Sequence, residues 1–137
     1  MTEYPCTVPA SALSPELRAL IRKLTARLLS GDSSTHALLR EQFAKAEIRD
    51  VELTGVGLYA NFAVPSDIPR VSPARMIGGD VPMEIDGLEG GAGCLVCVSE
   101  GHLDFLEVYV NGGEPFPDRP VARLGSTTPL TFDAPAT

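Results

Sequence analysis

The sequence is poor in basic residues and has no long apolar run. Lys plus Arg number 11 against 18 Asp plus Glu, and the formal net charge is −7. Nucleic acids and anionic lipid surfaces favour clustered positive charge, so this balance argues against both as partners. The longest uninterrupted apolar stretch is residues 94–98, far short of the roughly 20 residues that span a bilayer. The sequence therefore predicts neither a nucleic-acid partner nor a membrane partner.

Two further absences concern the compartment. The N-terminal segment lacks a basic region followed by an apolar region, the pattern of a secretory signal peptide. Three cysteines cannot all pair within one chain, which favours a reducing environment. We therefore expect a cytoplasmic protein.

Cys94 and Cys97 have the spacing of redox and zinc motifs, but their context favours a structural role. They lie in a run of β-forming residues, where side chains three positions apart point to opposite faces of a strand. A zinc site would need a second pair of ligands, and only Cys6, His36 and His102 remain, without suitable spacing. We predict neither a metal ion nor a cofactor.

Two helices are predicted in the first third of the chain. Ser14 is followed by a proline and an acidic residue, the pattern of an N-cap and a first helical turn. A second helix is expected to start from a cap at Asp32 or Ser33 and to end at Ala46. His36, near its start, is interpreted as a surface residue.

Alternating apolar residues later in the chain predict an antiparallel sheet of about four to five strands, on which the helices pack. The clearest element is a C-terminal hairpin over residues 94–110, with Glu100 and Gly101 as its turn. The loop and linker composition of residues 65–80 and 90–93 predicts no regular structure there. The fold class is thus α+β.

Three segments are expected along the 137 residues. Residues 1–13 read as an irregular arm, and residues 14–113 as a single α+β domain. Residues 114–137 are rich in proline and predict an extended tail packed on or near that domain.

Acidic residues are concentrated in residues 76–118, which contain nine Asp or Glu and no Lys or Arg. One interpretation is a docking surface for a cationic partner. The alternative is a solvated acidic face that keeps a small domain soluble, facing the basic first helix of the same chain. The candidate interaction residues are Asp80, Glu84, Asp86, Glu89, Glu100 and Asp104.

Glu107 is the most unusual residue of the predicted hairpin. Cross-strand pairs 96/105 and 94/107 would place it on the apolar face, among cysteine, valine and leucine side chains. An acid there is either a structural group bonded to backbone or the anchor of a pocket, with Tyr59 and Tyr109 lining it. Both interpretations remain open.

Ser99, His102 and Asp104 cluster near the hairpin turn and include the residue types of a catalytic triad. An exposed turn excludes no water and supplies no oxyanion hole, so we predict no catalytic role for them.

Residues 94–117 resemble a hairpin found in a family of small bacterial proteins with a (D/E)G turn, a Leu-Glu-x-Tyr strand and a following Gly-x-Glu-x-x-Pro piece. The resemblance marks Gly101, Leu106, Glu107, Tyr109 and Pro117 as pattern residues. It implies a bacterial cytosolic protein with this helix–strand order, and it supplies no activity or cofactor.

The leading functional prediction is a non-enzymatic protein-interaction module, such as an inhibitor of the immunity-protein kind or a homodimer. The alternative is a small-ligand-binding protein or enzyme with a pocket between helices and sheet, anchored by Glu107. The two differ in whether Glu107 lies in a concave pocket.

Overall fold

The computed structural model describes residues 3–131, which form two helices and an eight-stranded antiparallel sheet. The α+β class is therefore confirmed, whereas the predicted number of four to five strands is too low. The helices are α1 (Pro15–Leu28) and α2 (Ser34–Lys45). The strands are β1 (Cys6–Pro9), β2 (Glu47–Leu53), β3 (Gly57–Ala63), β4 (Met76–Gly78), β5 (Met83–Ile85), β6 (Leu88–Ser99), β7 (His102–Val110) and β8 (Ala122–Leu124).

The strand order in the sheet is β1-β2-β3-β7-β6-β5-β8, and β4 pairs separately with β6. The four central strands are the long ones, whose alternating side chains predict them. The strands that the sequence does not predict have only three or four residues, too few to show a period of two. Strand β1 lies in the expected irregular arm, β4 in the expected loop 65–80, and β8 in the proline-rich segment. The expectation of no regular structure over residues 90–93 is also wrong, because β6 begins at Leu88 and includes them.

Side-chain caps start both helices. The Ser14 hydroxyl accepts a hydrogen bond from the Leu17 amide at 3.1 Å, as the sequence predicts for α1. Of the two predicted caps for α2, Ser33 is the one used, and it accepts from the His36 amide at 3.1 Å. Neither helix in residues 3–131 is long and apolar enough to cross a membrane.

Both helices pack on the same side of the sheet, which we call the inner face. Its buried side chains alternate along the strands, with Val96 on β6 and Leu106 and Val108 on β7. Helix α1 contributes Leu24 and Leu28 to the same core, and the ring of Phe43 on α2 packs edge-on against Phe62 of β3. The main core thus lies between the helices and this face.

The C-terminal segment completes the core. Leu130 is fully buried, its amide donates to the Leu28 carbonyl at 2.8 Å, and its carbonyl lies 2.5 Å from Nε2 of His36. The expectation that His36 lies on the surface is therefore wrong, because its ring links α2 to this segment. Residues 132–137 of the predicted tail lie outside the described residues.

A buried amide joins α2, the segment 65–75 and the β6–β7 turn. Nε2 of Gln42 donates to the carbonyls of Pro69 and Gly101, at 3.0 and 2.9 Å. Its Oε1 accepts from the Leu103 amide at 2.8 Å. Both side-chain amide protons of Gln42 are thus used in hydrogen bonds within the protein. These bonds hold α2, the segment 65–75 and the β6–β7 turn at fixed positions relative to one another.

Candidate functional site: the outer face of the sheet

A β-bulge in β7 decides which side of the sheet carries Glu107. The pairs 99/102 and 98/103 next to the turn are as predicted, but Asp104 is then an extra residue, so that Cys97 pairs with Phe105. The predicted pairs 96/105 and 94/107 are wrong, and Glu107 instead pairs with Leu95. Because a shift of one residue moves a side chain to the other face, Glu107 lies opposite the helices.

We call this opposite side the outer face. Its side chains form two rows that run across neighbouring strands, from β2 through β3 and β7 to β6, as the pairing register shows. The first row is Glu52, Tyr59, Glu107 and Leu95, and the second row is Asp50, Asn61, Phe105 and Cys97.

Asn61 fixes two carboxylates of the outer face. Its side-chain Nδ2 donates one hydrogen bond to Asp50 at 2.7 Å and another to Glu52 at 3.0 Å. Both amide protons are thereby used, and the amide is neutral, so two negative charges are held close together without being neutralised by it. Asp50 also forms a 3.3 Å ion pair with Arg49.

Aromatic rings lie beside the carboxylates of the outer face, and Tyr59 stands between Glu52 and Glu107 in the first row. Tyr59 packs edge-on against Phe105, with ring centroids 5.3 Å apart and planes at 78°. The ring of Tyr109 lies over Gly93, where a side chain of any size would overlap it. The hydroxyl of Tyr109 donates to Asp80 at 3.2 Å. The outer face therefore presents aromatic surface bordered by acids.

The pKa values of Tyr59 and Tyr109 are both raised, mainly by a carboxylate charge at Tyr59 and mainly by burial at Tyr109. The charge of Glu107, followed by partial burial, raises the pKa of Tyr59. Desolvation, followed by the charge of Asp80, raises the pKa of Tyr109. A nearby negative charge makes ionisation of a phenol less favourable, so both shifts have the sign that an acidic surface produces.

We expect the substitution Glu107→Gln to lower the pKa of Tyr59 toward its usual value near 10, because the largest cause of the shift is removed. The measurement is a spectrophotometric titration of tyrosinate, with Tyr59→Phe as the reference that assigns the transition. The folded-state pKa is raised, so the contribution of Tyr59 to stability is present below pH 10 and is lost as the pH rises through that pKa. An unchanged titration in Glu107→Gln would contradict this electrostatic interpretation.

The structure brings Glu107 and Tyr59 together as cross-strand neighbours on β7 and β3. Tyr109 lies on β7, two positions after Glu107. It separates the other predicted acids. Glu84 and Asp86 each form a 3.2 Å ion pair with Arg123 near one end of the sheet. The remaining members are distributed as follows: Glu89 at the start of β6, Asp80 beside Tyr109, Glu100 in the β6–β7 turn, and Asp104 at the bulge of β7.

Ser99 and His102, for which the sequence predicts no catalytic role, form hydrogen bonds with other groups than each other. Nε2 of His102 lies 3.0 Å from the carbonyl oxygen of Ile68, which can only accept a hydrogen bond, and within the described residues His102 forms no hydrogen bond with Ser99. The Ser99 hydroxyl lies 3.8 Å from the sulfur of Cys97.

Cys94 and Cys97 point to opposite faces of β6, as predicted from their spacing. Burial raises the pKa of the Cys94 thiol to about 12, so this thiol is protonated at neutral pH. Within residues 3–131, no group of three His, Cys, Asp or Glu side chains is arranged to hold a metal ion.

The sequence reasoning missed Asp50, Glu52, Asn61 and Phe105. The alternation of β2 and β3 carries the signal for the first three, because polar residues occupy the positions between buried ones. These residues lie next to Glu107 only because β3 pairs with β7, and no local sequence pattern specifies that pairing.

Comparisons with models of protein families, with curated proteins and with solved structures found no match.

Proposed function

We propose that this protein is a non-enzymatic interaction module whose outer face binds a basic segment of a partner protein. The observation that supports the proposal is that aromatic rings and carboxylates lie together on one side of the sheet. Hydrogen bonds hold two of these carboxylates in place. The proposal keeps the predicted class of function and changes the surface from the scattered acids of residues 76–118 to the outer face.

Charge complementarity specifies the partner. The carboxylates of Asp50, Glu52 and Glu107 lie in the two rows, and Arg49 is the one cation ion-paired to them within the described part of the chain. Arg and Lys side chains would pair with these acids, and their cationic groups can also lie over the face of a tyrosine ring. The structure therefore favours a partner that presents several basic side chains.

The geometry of the face suits a protein segment better than a small molecule. The acidic and aromatic members of the two rows lie on three neighbouring strands, β2, β3 and β7. Neighbouring strands lie about 4.8 Å apart, so these groups are spread over roughly 10 Å across the sheet. Basic side chains on a strand or helix of the partner could contact several of these groups at once. The carboxylates fixed by Asn61 need little reorganisation, which favours binding.

The test is the affinity of the full chain for a fluorescent peptide of alternating Arg and Val, measured by anisotropy at low salt. The double variant E52Q/E107Q removes two outer-face charges, and E84Q/E89Q removes two charges elsewhere. We expect the first to weaken binding by about tenfold and the second by less than about twofold. Raising the salt concentration should weaken the wild-type complex and reduce the difference between variants.

Equal losses in the two double variants would show a non-specific charge effect and would overturn the proposal. Formation of a homodimer through the outer face, detected by sedimentation and abolished by E52Q/E107Q, would identify a second copy as the occupant and would contradict a basic partner. The unfolding transitions of both double variants are measured as well. If they match that of the wild type, a loss of binding cannot be due to a loss of folding.

A further inference from the structure

A second region of the molecule has the opposite charge character. An open cleft of about 820 Å³ lies where the segment 65–75 meets the β6–β7 turn and the ends of β2 and β3. Its polar lining consists of Arg49, Arg70, Arg75, Ser99, His102 and Asp104, together with Glu100 at the rim. We infer that this cleft is a binding site for a small phosphorylated organic molecule.

The concentration of guanidinium groups is the first argument. Three of the 11 Lys plus Arg residues of a chain with net charge −7 line this one cleft. The ion pairs within residues 3–131 engage Arg49, Arg119 and Arg123, which leaves Arg70 and Arg75 without a carboxylate partner in the described structure. One guanidinium nitrogen of Arg70 donates to the Glu100 carbonyl, which fixes the side chain at the turn and leaves its other donors for a ligand. Such guanidinium forks match the oxygens of a phosphate group.

Two β-bulges shape the cleft, and this is the second argument. Arg49 is the extra residue where the β2–β3 register shifts, and Asp104 is the extra residue of β7. Both bulged residues line the cleft, although they belong to different strands. Bulges re-aim side chains and are enriched beside functional sites, so their convergence is consistent with a built site.

The support of the cleft is rigid, and this is the third argument. The Gly101 amide donates to the Ala74 carbonyl at 2.8 Å, and the Val71 amide donates to the Gly101 carbonyl at 2.9 Å. Gln42 binds the same turn from the helix side, and His102 bonds the Ile68 carbonyl. The segment that carries Arg70 and Arg75 is thus held at both ends, so the two side chains project from an ordered backbone.

The remaining lining indicates what the phosphate is attached to. The cleft is much larger than a phosphate ion and falls within the usual volume of a small-molecule site. Asp104 and Glu100 can accept hydrogen bonds from hydroxyl groups, and Val64 adds partly exposed apolar surface. A sugar phosphate or a nucleotide has this combination of an anionic end and hydroxyl-bearing body.

The first experiment uses pyrophosphate as the probe and follows amide and guanidinium resonances of the full chain by NMR at low salt. We expect saturable shifts at the β6–β7 turn and at the Nε groups of Arg70 and Arg75. The variant R70Q/R75Q should weaken binding by about tenfold or more, and the matched surface variant R22Q/K23Q should change it by less than about twofold.

The second experiment compares ribose 5-phosphate with ribose on the same protein. We expect binding of the phosphorylated sugar at lower concentration than pyrophosphate and no binding of ribose. Absence of saturable pyrophosphate binding, or equal weakening in both double variants, would overturn the inference of an anion site. Pyrophosphate binding without a gain for ribose 5-phosphate would overturn the assignment to an organic phosphate.

The outcome is separable from the proposed protein-binding function. The variant E52Q/E107Q should leave pyrophosphate binding within about twofold of the wild type, because its carboxylates do not line the cleft. Either site can therefore fail its test while the other passes.

Discussion

Replacing Gln42 by alanine is expected to lower the free energy of unfolding by about 3 kcal/mol, through a lost side chain and an unpaired backbone group. Gln42 is fully buried, and the Leu103 amide that it accepts from is buried as well. Without the amide, this backbone donor would have no partner and no water. The Gly101 carbonyl would keep its bond from Val71. The loss should therefore come mainly from Leu103 and from the cavity.

Urea denaturation followed by circular dichroism measures this effect. Glu41→Ala, at the adjacent exposed position of α2, should change stability by less than about 0.5 kcal/mol. Gln42→Met keeps approximately the size of the side chain and adds no charge but removes all three hydrogen bonds, so it separates hydrogen bonding from volume. A Gln42→Ala protein as stable as Glu41→Ala would show that the hydrogen bonds and packing of the Gln42 side chain contribute nothing to the free energy of unfolding.

The second large effect is expected at Gly57, where alanine should destabilise the fold by about 3 kcal/mol. Gly57 pairs with Tyr109 in the central ladder between β3 and β7. A Cβ atom at this position would overlap the backbone carbonyl oxygen of Val108. Backbone cannot rotate away as a flexible side chain can, so the two strands would have to separate locally.

The control for this substitution is Gly113→Ala, because a Cβ atom there meets nothing within 4 Å. Its unfolding midpoint should stay close to that of the wild type. Since β3 and β7 together carry Tyr59 and Glu107, the Gly57→Ala variant should also show a changed tyrosine titration. Equal stability of the two alanine variants would rule out a close approach of the strands at Gly57.

Local signals were sufficient for the helices and for the long strands. Ser14 and its following proline specify a helix start within three residues, and the alternation of β7 is visible in its own sequence. The short strand β4 forms on free backbone groups of the long strand β6, and β8 pairs with β5, which is itself only three residues long. The pairing of such short strands is a property of the assembled sheet, and the sequences of the short segments themselves do not predict it.

The candidate sites were less predictable than the fold, for a related reason. One extra residue, Asp104, reverses the side of the sheet on which Glu107 lies. The cation cluster was equally hidden, because Arg49 is 21 residues from Arg70 and is joined to it only by tertiary structure. Local patterns indicate only residues that are close in sequence, whereas both candidate sites are built from segments that are distant in sequence.

The burial of Leu130 has a consequence for how the protein is made. Its partners Leu28 and His36 leave the ribosome about a hundred residues earlier, and the core cavity that receives Leu130 cannot be filled until synthesis has reached that point. The nascent chain therefore exposes apolar surface for most of its translation, during which chaperone binding and aggregation compete with folding. A nascent chain arrested with Leu130 still inside the exit tunnel should be markedly more sensitive to protease than the same chain arrested on an appended flexible linker long enough for Leu130 to emerge.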